Sequence, residues 1–127
     1  MSVQARVNNL FGGTDNSVTV TATSNGTLEI PPIATWINVT SASAVTVGNT
    51  TTVPVFSMPS FSRGRLLFFY NSNPSGGSII TFTSNNNTTS PGYMDLGANR
   101  ALDPTDLLCV YVRPDGTAVR VFSTLDN

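Results

Sequence analysis

The residues of this chain that could do chemistry are few and badly matched to one another. Its 127 residues include no His and no Lys, a single cysteine at Cys109, and seven acids against six arginines. The usual general bases, amine nucleophiles and imidazole metal ligands are therefore missing. Asp103 and Asp106, with Asp95 some distance away, form the one acidic group worth testing for Ca²⁺, an ion that takes several carboxylate and carbonyl oxygens. A competing reading needs no metal: Asp103 opens a turn and Asp106 caps its exit. No EF-hand or repeat calcium motif is present, so the expectation is no cofactor, with Ca²⁺ the one ion in contention. Paired carboxylates could also hydrolyse a glycosidic bond, but Asp15, Asp115 and Asp126 fall in turn-like or terminal sequence. Cys109 sits in the apolar run Leu107-Leu108-Cys109-Val110-Tyr111-Val112 and reads as a buried thiol, and no base is available to activate it. There is no Gly-rich phosphate loop before a helix and no nucleophile elbow. The chain is expected not to be an enzyme.

Charge narrows the partners. Charged residues make up 10% of the chain and the net charge is −1, so solubility must rest on the hydroxyls and amides of Ser, Thr and Asn. The longest basic run is Arg63-Gly64-Arg65, too little to track a phosphate backbone, and no nucleic acid is expected as a partner. Apolar stretches fall far short of the ~20 residues that span a bilayer, and Met1-Ser2-Val3-Gln4 lacks a signal pattern, so no membrane insertion is expected. Asn-x-Thr triplets begin at Asn25, Asn38, Asn49, Asn86 and Asn87. In a chain this rich in Asn and Thr such triplets arise by composition.

The elements that must position these residues are strands. Period-two alternation recurs along the chain and no window sustains a helical period. Val3 to Leu10 reads as a first strand. Ser17 to Thr23 places Val18, Val20 and Ala22 on one face, and the Asn25-Gly26 turn predicts that Thr27 to Ile30 pairs back on it. Ile33 to Thr40 holds the only Trp, Trp36, read as a core anchor against the alternative of a sugar-stacking surface residue. Ala44 to Val47 and Thr51 to Ser57 flank Gly48-Asn49 as a second hairpin, with Pro54 marking an edge or bulge, and Met58 to Gly64 is a loop. Arg65 to Tyr70 is apolar on both faces and predicts a central strand. After the Asn71 to Gly77 turn come a strand over Ser78 to Ser84, the polar segment Asn85 to Gly92 as a mobile loop or contact tip, and a short strand over Tyr93 to Leu96. A final hairpin runs from Asp106 to Arg113, through Pro114-Asp115-Gly116, and back over Thr117 to Ser123. These strands predict one all-β domain over residues 1–127, a single antiparallel β-sandwich or jelly roll of about nine or ten short strands.

The run from Leu107 to Thr117 and the ending Val119-Arg120-Val121-Phe122, set in a Ser/Thr/Asn-rich β chain of low charge, resemble the protruding domain of a small non-enveloped RNA virus capsid protein. The likeness is to the nodavirus and tombusvirus-like group and covers the general character of the chain. It implies a domain excised from a longer capsid protein and displayed on the virion surface. There it would form a homodimeric spike and contact a host cell receptor or glycan, with RNA packaging left to a separate basic arm. It carries over no metal-ligating acids.

Recognition surfaces combine rigid aromatics with Ser, Thr and Asn hydrogen-bonding groups. Phe56, Met58 and Phe61 around one Pro-rich loop, with Tyr93 and Met94 after another, are the apolar residues least easily buried by the expected strands, and are the expected dimer patch. The competing reading has Phe56 and Phe61 plugging the end of the sandwich. Two other function classes fit the composition. One is a carbohydrate-binding module or lectin, with Trp36, Tyr70 and Tyr93 stacking on sugar and Asp103 and Asp106 holding an ion. The other is an adhesin or phage-tail tip domain, usually trimeric.

Overall fold

The computed structural model describes residues 16–86 and 90–124, and the expected strand from Val3 to Leu10 lies outside them. The described chain is all-β, with eleven strands and one short 3-10 turn at Ser60–Ser62. In β1 (Ser17–Thr21), Val18 and Val20 pack on the core while Thr19 and Thr21 are exposed, as their alternation requires.

The partner that β1 takes is not the segment across the Asn25-Gly26 turn. It lies parallel to β3 (Trp36–Thr40), with Ser17 opposite Trp36 and Thr21 opposite Thr40. β3 in turn runs parallel to β6 (Arg65–Asn71). The segment after the turn, β2 (Leu28–Glu29), pairs in parallel with β5 (Phe56–Ser57) as a separate two-stranded sheet. β4 (Val45–Val47) and β7 (Ile80–Phe82) pair in parallel in a third sheet, which the antiparallel β9 (Arg100–Leu102) completes. From β3 to β7 the chain thus winds through the six-stranded, three-stranded and two-stranded sheets and returns to the six-stranded and three-stranded ones. Each circuit lays its strands beside those of the last. Even the first turn joins this winding: the Asn25 N–H donates to the Thr46 carbonyl (2.7 Å) and the Gly48 N–H to the Gly26 carbonyl (2.8 Å).

The six-stranded sheet is closed differently. β10 (Leu107–Val112) runs antiparallel to both β6 and β11 (Ala118–Thr124), with a register shift between Cys109 and Val110. β8 (Met94–Asp95) lies parallel to β11 at the edge, giving the order β1-β3-β6-β10-β11-β8. The final hairpin therefore forms as its sequence reads. An all-β arrangement of several sheets, compatible with a sandwich, is present, but the expected purely antiparallel pairing and the first two hairpins are corrected to mixed sheets. Alternation tells a strand which face to bury but not which strand to join. Here the crossovers that parallel pairing needs are supplied by strands of the other sheets rather than by helices.

One core fills the space between the sheets. Ile37, Val39, Leu67, Phe69, Leu108 and Val110 from the large sheet meet Leu28, Phe56, Val47, Ile80, Phe82 and Leu102 from the other two. The opposite face of the large sheet carries a second buried cluster of Trp36, Phe68, Leu107 and Cys109, flanked by Leu66 and Tyr70. That second cluster explains why β6 and β10 read as unbroken apolar runs. Trp36 is buried as a core anchor, with its ring 6.0 Å from that of Phe68 and 5.5 Å from that of Tyr70. Its indole N–H donates to Asn38 Oδ1 (2.8 Å), so the one polar atom of the ring is satisfied.

Two residues join the winding to the rest. Asn71, fully buried at the end of β6, donates from Nδ2 to the carbonyls of Leu102 (2.7 Å) and Ser78 (3.0 Å) and accepts the Asn73 N–H on Oδ1 (3.0 Å). Gly92 sits at φ +88°, where its carbonyl takes the N–H groups of Val55 and Phe56 while its own N–H donates to Gly116. A Cβ there would strike the Phe56 carbonyl, so glycine is the residue that lets β5, this loop and the final hairpin turn meet.

Candidate functional site

The expected contact patch does not come together as a surface. Phe56 and Met94 are essentially fully buried and Tyr93 is about nine-tenths buried, while Met58 is half-buried against the core. The reason is the parallel pairing: β5 lies against β2 with Phe56 turned into the core, and Met94 pairs opposite Ala118 inside the main cluster. The expectation that strands would leave these three side chains uncovered is thus corrected. Phe61 alone of the five is prominent, 79% exposed on the 3-10 turn. It has a neighbour that the sequence did not single out. Ser62 Oγ (3.0 Å) and the Arg65 guanidinium (2.7 Å) both donate to the Pro32 carbonyl. This bond pair holds the 3-10 turn beside the loop that carries Ile33, itself 68% exposed. Two large apolar side chains are thereby displayed from loops fixed to each other.

The candidate chemistry is locked into structure. The Asp106 carboxylate accepts the Asp103 N–H (3.0 Å) and the Asp106 N–H returns to the Asp103 carbonyl (2.9 Å), a reciprocal turn closure. Asp95 lies elsewhere, on β8, where its carboxylate faces the Gly97 N–H. Among the described residues no three acids, cysteines or histidines lie together as a metal-holding group. Cys109 is 1% exposed, and burial pushes its thiol up to about 11. At neutral pH it is a protonated core group rather than a thiolate. Asp115, on the final turn, is held below the usual carboxylate range, first by the Thr117 hydroxyl and then by the Thr117 N–H. The proposed stacking rings also part company: Trp36 and Tyr70 belong to the outer-face cluster, and Tyr93 to another region.

That other region is a polar cleft of about 410 Å³, lined by Thr50 and Thr51 on one side and Ser84, Asn85, Asn86, Ser90 and Tyr93 on the other. Its walls are built from distant segments and tied together. Asn49 Oδ1 accepts three consecutive backbone N–H groups, from Thr51 (2.9 Å), Thr52 (2.7 Å) and Val53 (3.0 Å), which curls the first loop tightly. Asn85 Nδ2 then donates across to the Thr50 carbonyl (2.7 Å). On the far wall Ser84 Oγ accepts the Leu96 N–H and the Ser84 N–H donates to Asn99 Oδ1. The sequence hinted at this cleft only through its polar Asn85 to Gly92 segment and the Asn49 and Asn86 triplets. The pairing of the two segments is tertiary and leaves no local signal.

Compared with protein family models, with curated proteins and with solved structures, the chain matches none. The class it defines is therefore that of its own geometry: an all-β domain of several sheets with a single main core.

Proposed function

We propose that this chain is a non-catalytic attachment domain of a virus particle, displayed on the outer surface, self-associating as a dimer and contacting a host-surface molecule. The observation that carries the reading is the fixed pair Ile33 and Phe61. Large apolar side chains held out from rigid loops lose little conformational freedom on contact, which is how interface anchors gain their weight. The rest of the chain supports it by what its side chains are free to do. The only thiol is buried, the candidate acids close turns, and the accessible polar groups are mostly hydroxyls and amides.

A second reading, the tip domain of an adhesin or phage tail, is favoured by the parallel winding. Coils stacked strand on strand make quasi-one-dimensional structures that project from a surface. Oligomeric order separates the two.

Sedimentation equilibrium of the purified chain over a concentration series tests both. A reversible dimer that Phe61→Ser and Ile33→Ser weaken, with unchanged melting temperature, supports the capsid spike. A trimer supports the tip domain. A strict monomer at high concentration removes self-association and this reading with it.

A further inference from the structure

We infer that the cleft between the 49–52 loop and the Ser84–Asn86 segment is a binding site for a short neutral saccharide. The inference rests on the attachment reading above and names the chemistry of what is attached.

The lining decides the ligand class by exclusion and then by fit. Among the described lining residues no side chain is charged, so an anionic ligand such as a phosphate or sialic acid meets no cation there, and a metal ion no carboxylate. A hydrocarbon ligand would strip water from the exposed Thr50 hydroxyl and Asn86 carboxamide without replacing their hydrogen bonds, an unfavourable exchange for each. A neutral sugar fits because each of its hydroxyls both donates and accepts. The exposed Thr50 hydroxyl, a rotor that turns to suit either role, and the exposed Asn86 carboxamide, with one acceptor and two donors, match that demand, while Thr51 Oγ1 and Ser84 Oγ already bond Asn49 Oδ1 and the Leu96 N–H. Tyr93, about nine-tenths buried, forms the apolar part of the lining. The volume lies within the range of small-molecule sites. The first wall is also set in advance, because Asn49 and Asn85 hold that loop with backbone-directed bonds. Little ordering of that loop then remains to oppose binding.

The test is an array of immobilised glycans bearing neutral termini (galactose, glucose, mannose, fucose) beside sialylated and sulfated ones, probed with the purified chain. Titration calorimetry of the best neutral sugar then compares the unaltered chain with Asn86→Ala and Thr50→Val. Both residues are exposed, so each variant should keep its melting temperature. The expected result is binding to one or more neutral glycans, weakened at least tenfold in the double variant. Silence on the array, binding confined to charged glycans, or binding that the double variant leaves intact overturns the site. The attachment reading stands or falls separately. A chain that self-associates but ignores every sugar keeps that reading and loses this cleft. A chain that binds a neutral sugar yet stays monomeric keeps the cleft and loses the self-association.

Discussion

The two ends of the six-stranded sheet are built under different rules. At one end β1, β3 and β6 lie parallel, each reaching its neighbour only after the chain has passed through another sheet. At the other, β10 and β11 are joined by a turn in which Gly116 N–H donates to Arg113 and Arg113 N–H donates to Thr117. The hairpin closes a short loop and needs little from elsewhere. The parallel winding closes long loops, whose entropic cost must be met by contacts between residues far apart in sequence. The winding should therefore depend on a few central side chains, and the hairpin on its turn.

The sharpest way to break that comparison is at Phe69. It is fully buried where the sheets meet, with its ring 6.4 Å from Phe56 on β5 and 5.4 Å from Phe82 on β7. Phe69→Ala should cost about 3–5 kcal/mol, read as a lowered denaturant midpoint. A loss below about 1 kcal/mol, outside the range for such truncations, would mean that the sheets hold one another by other means.

Gly92 is the seam between the two regions. An alanine there must take a left-handed backbone, costing about 1–2 kcal/mol, and its Cβ meets the Phe56 carbonyl, so a total near 3 kcal/mol is expected once overpacking is added. Because Gly92 touches both β5 and the hairpin turn, hydrogen exchange in Gly92→Ala should quicken at Val55 and Phe56 as well as at Gly92. Acceleration confined to one side would show the regions to be uncoupled.

Asn71→Ala comes next. It takes the Asn71 amide from the buried Leu102 carbonyl and the acceptor from the buried Asn73 N–H, while the Ser78 carbonyl keeps the Asn73 amide, for about 2 kcal/mol. Asn71→Leu should fare no better, since it restores volume and not the donor. If the leucine variant matches the unaltered chain, packing rather than hydrogen bonding holds this corner.

The same contrast explains what was legible in the sequence. Pro114-Asp115-Gly116 names its hairpin because turn chemistry is local, and the apolar run Arg65 to Tyr70 names a doubly covered strand because burial on both faces leaves no polar alternation. Asn25-Gly26 carries an equally strong hairpin signal and yet makes no hairpin. Its backbone groups are taken by Thr46 and Gly48 from the next circuit, a competition that no short window contains. Phe56 and Met94 escape a local reading for the same reason: each flanks a proline-containing loop and is drawn inward by a partner strand distant in sequence. The cleft was half visible. Its polar residues stand out, but the Asn85 to Thr50 bond that makes two loops into one site joins residues 35 apart in sequence and is a product of the winding.

The smallest effect at neutral pH belongs to Cys109, and it tests whether the outer face of the sheet is as closed as the core. Burial raises its thiol from 9.0 to about 11, so the folded chain holds this proton more tightly than the unfolded chain does. Stability is then unaffected below pH 9 and falls as pH rises from 9 towards 11, where the unfolded thiol ionises first. Tyrosines titrate in the same region, so the measurement is a difference: denaturant midpoints of the unaltered chain and Cys109→Ala across pH 7–11. The gap between the two should shrink as the unaltered chain loses its advantage. A gap independent of pH would mean that Cys109 ionises as readily folded as unfolded, and that the sheet face bearing Trp36 and Phe68 admits water.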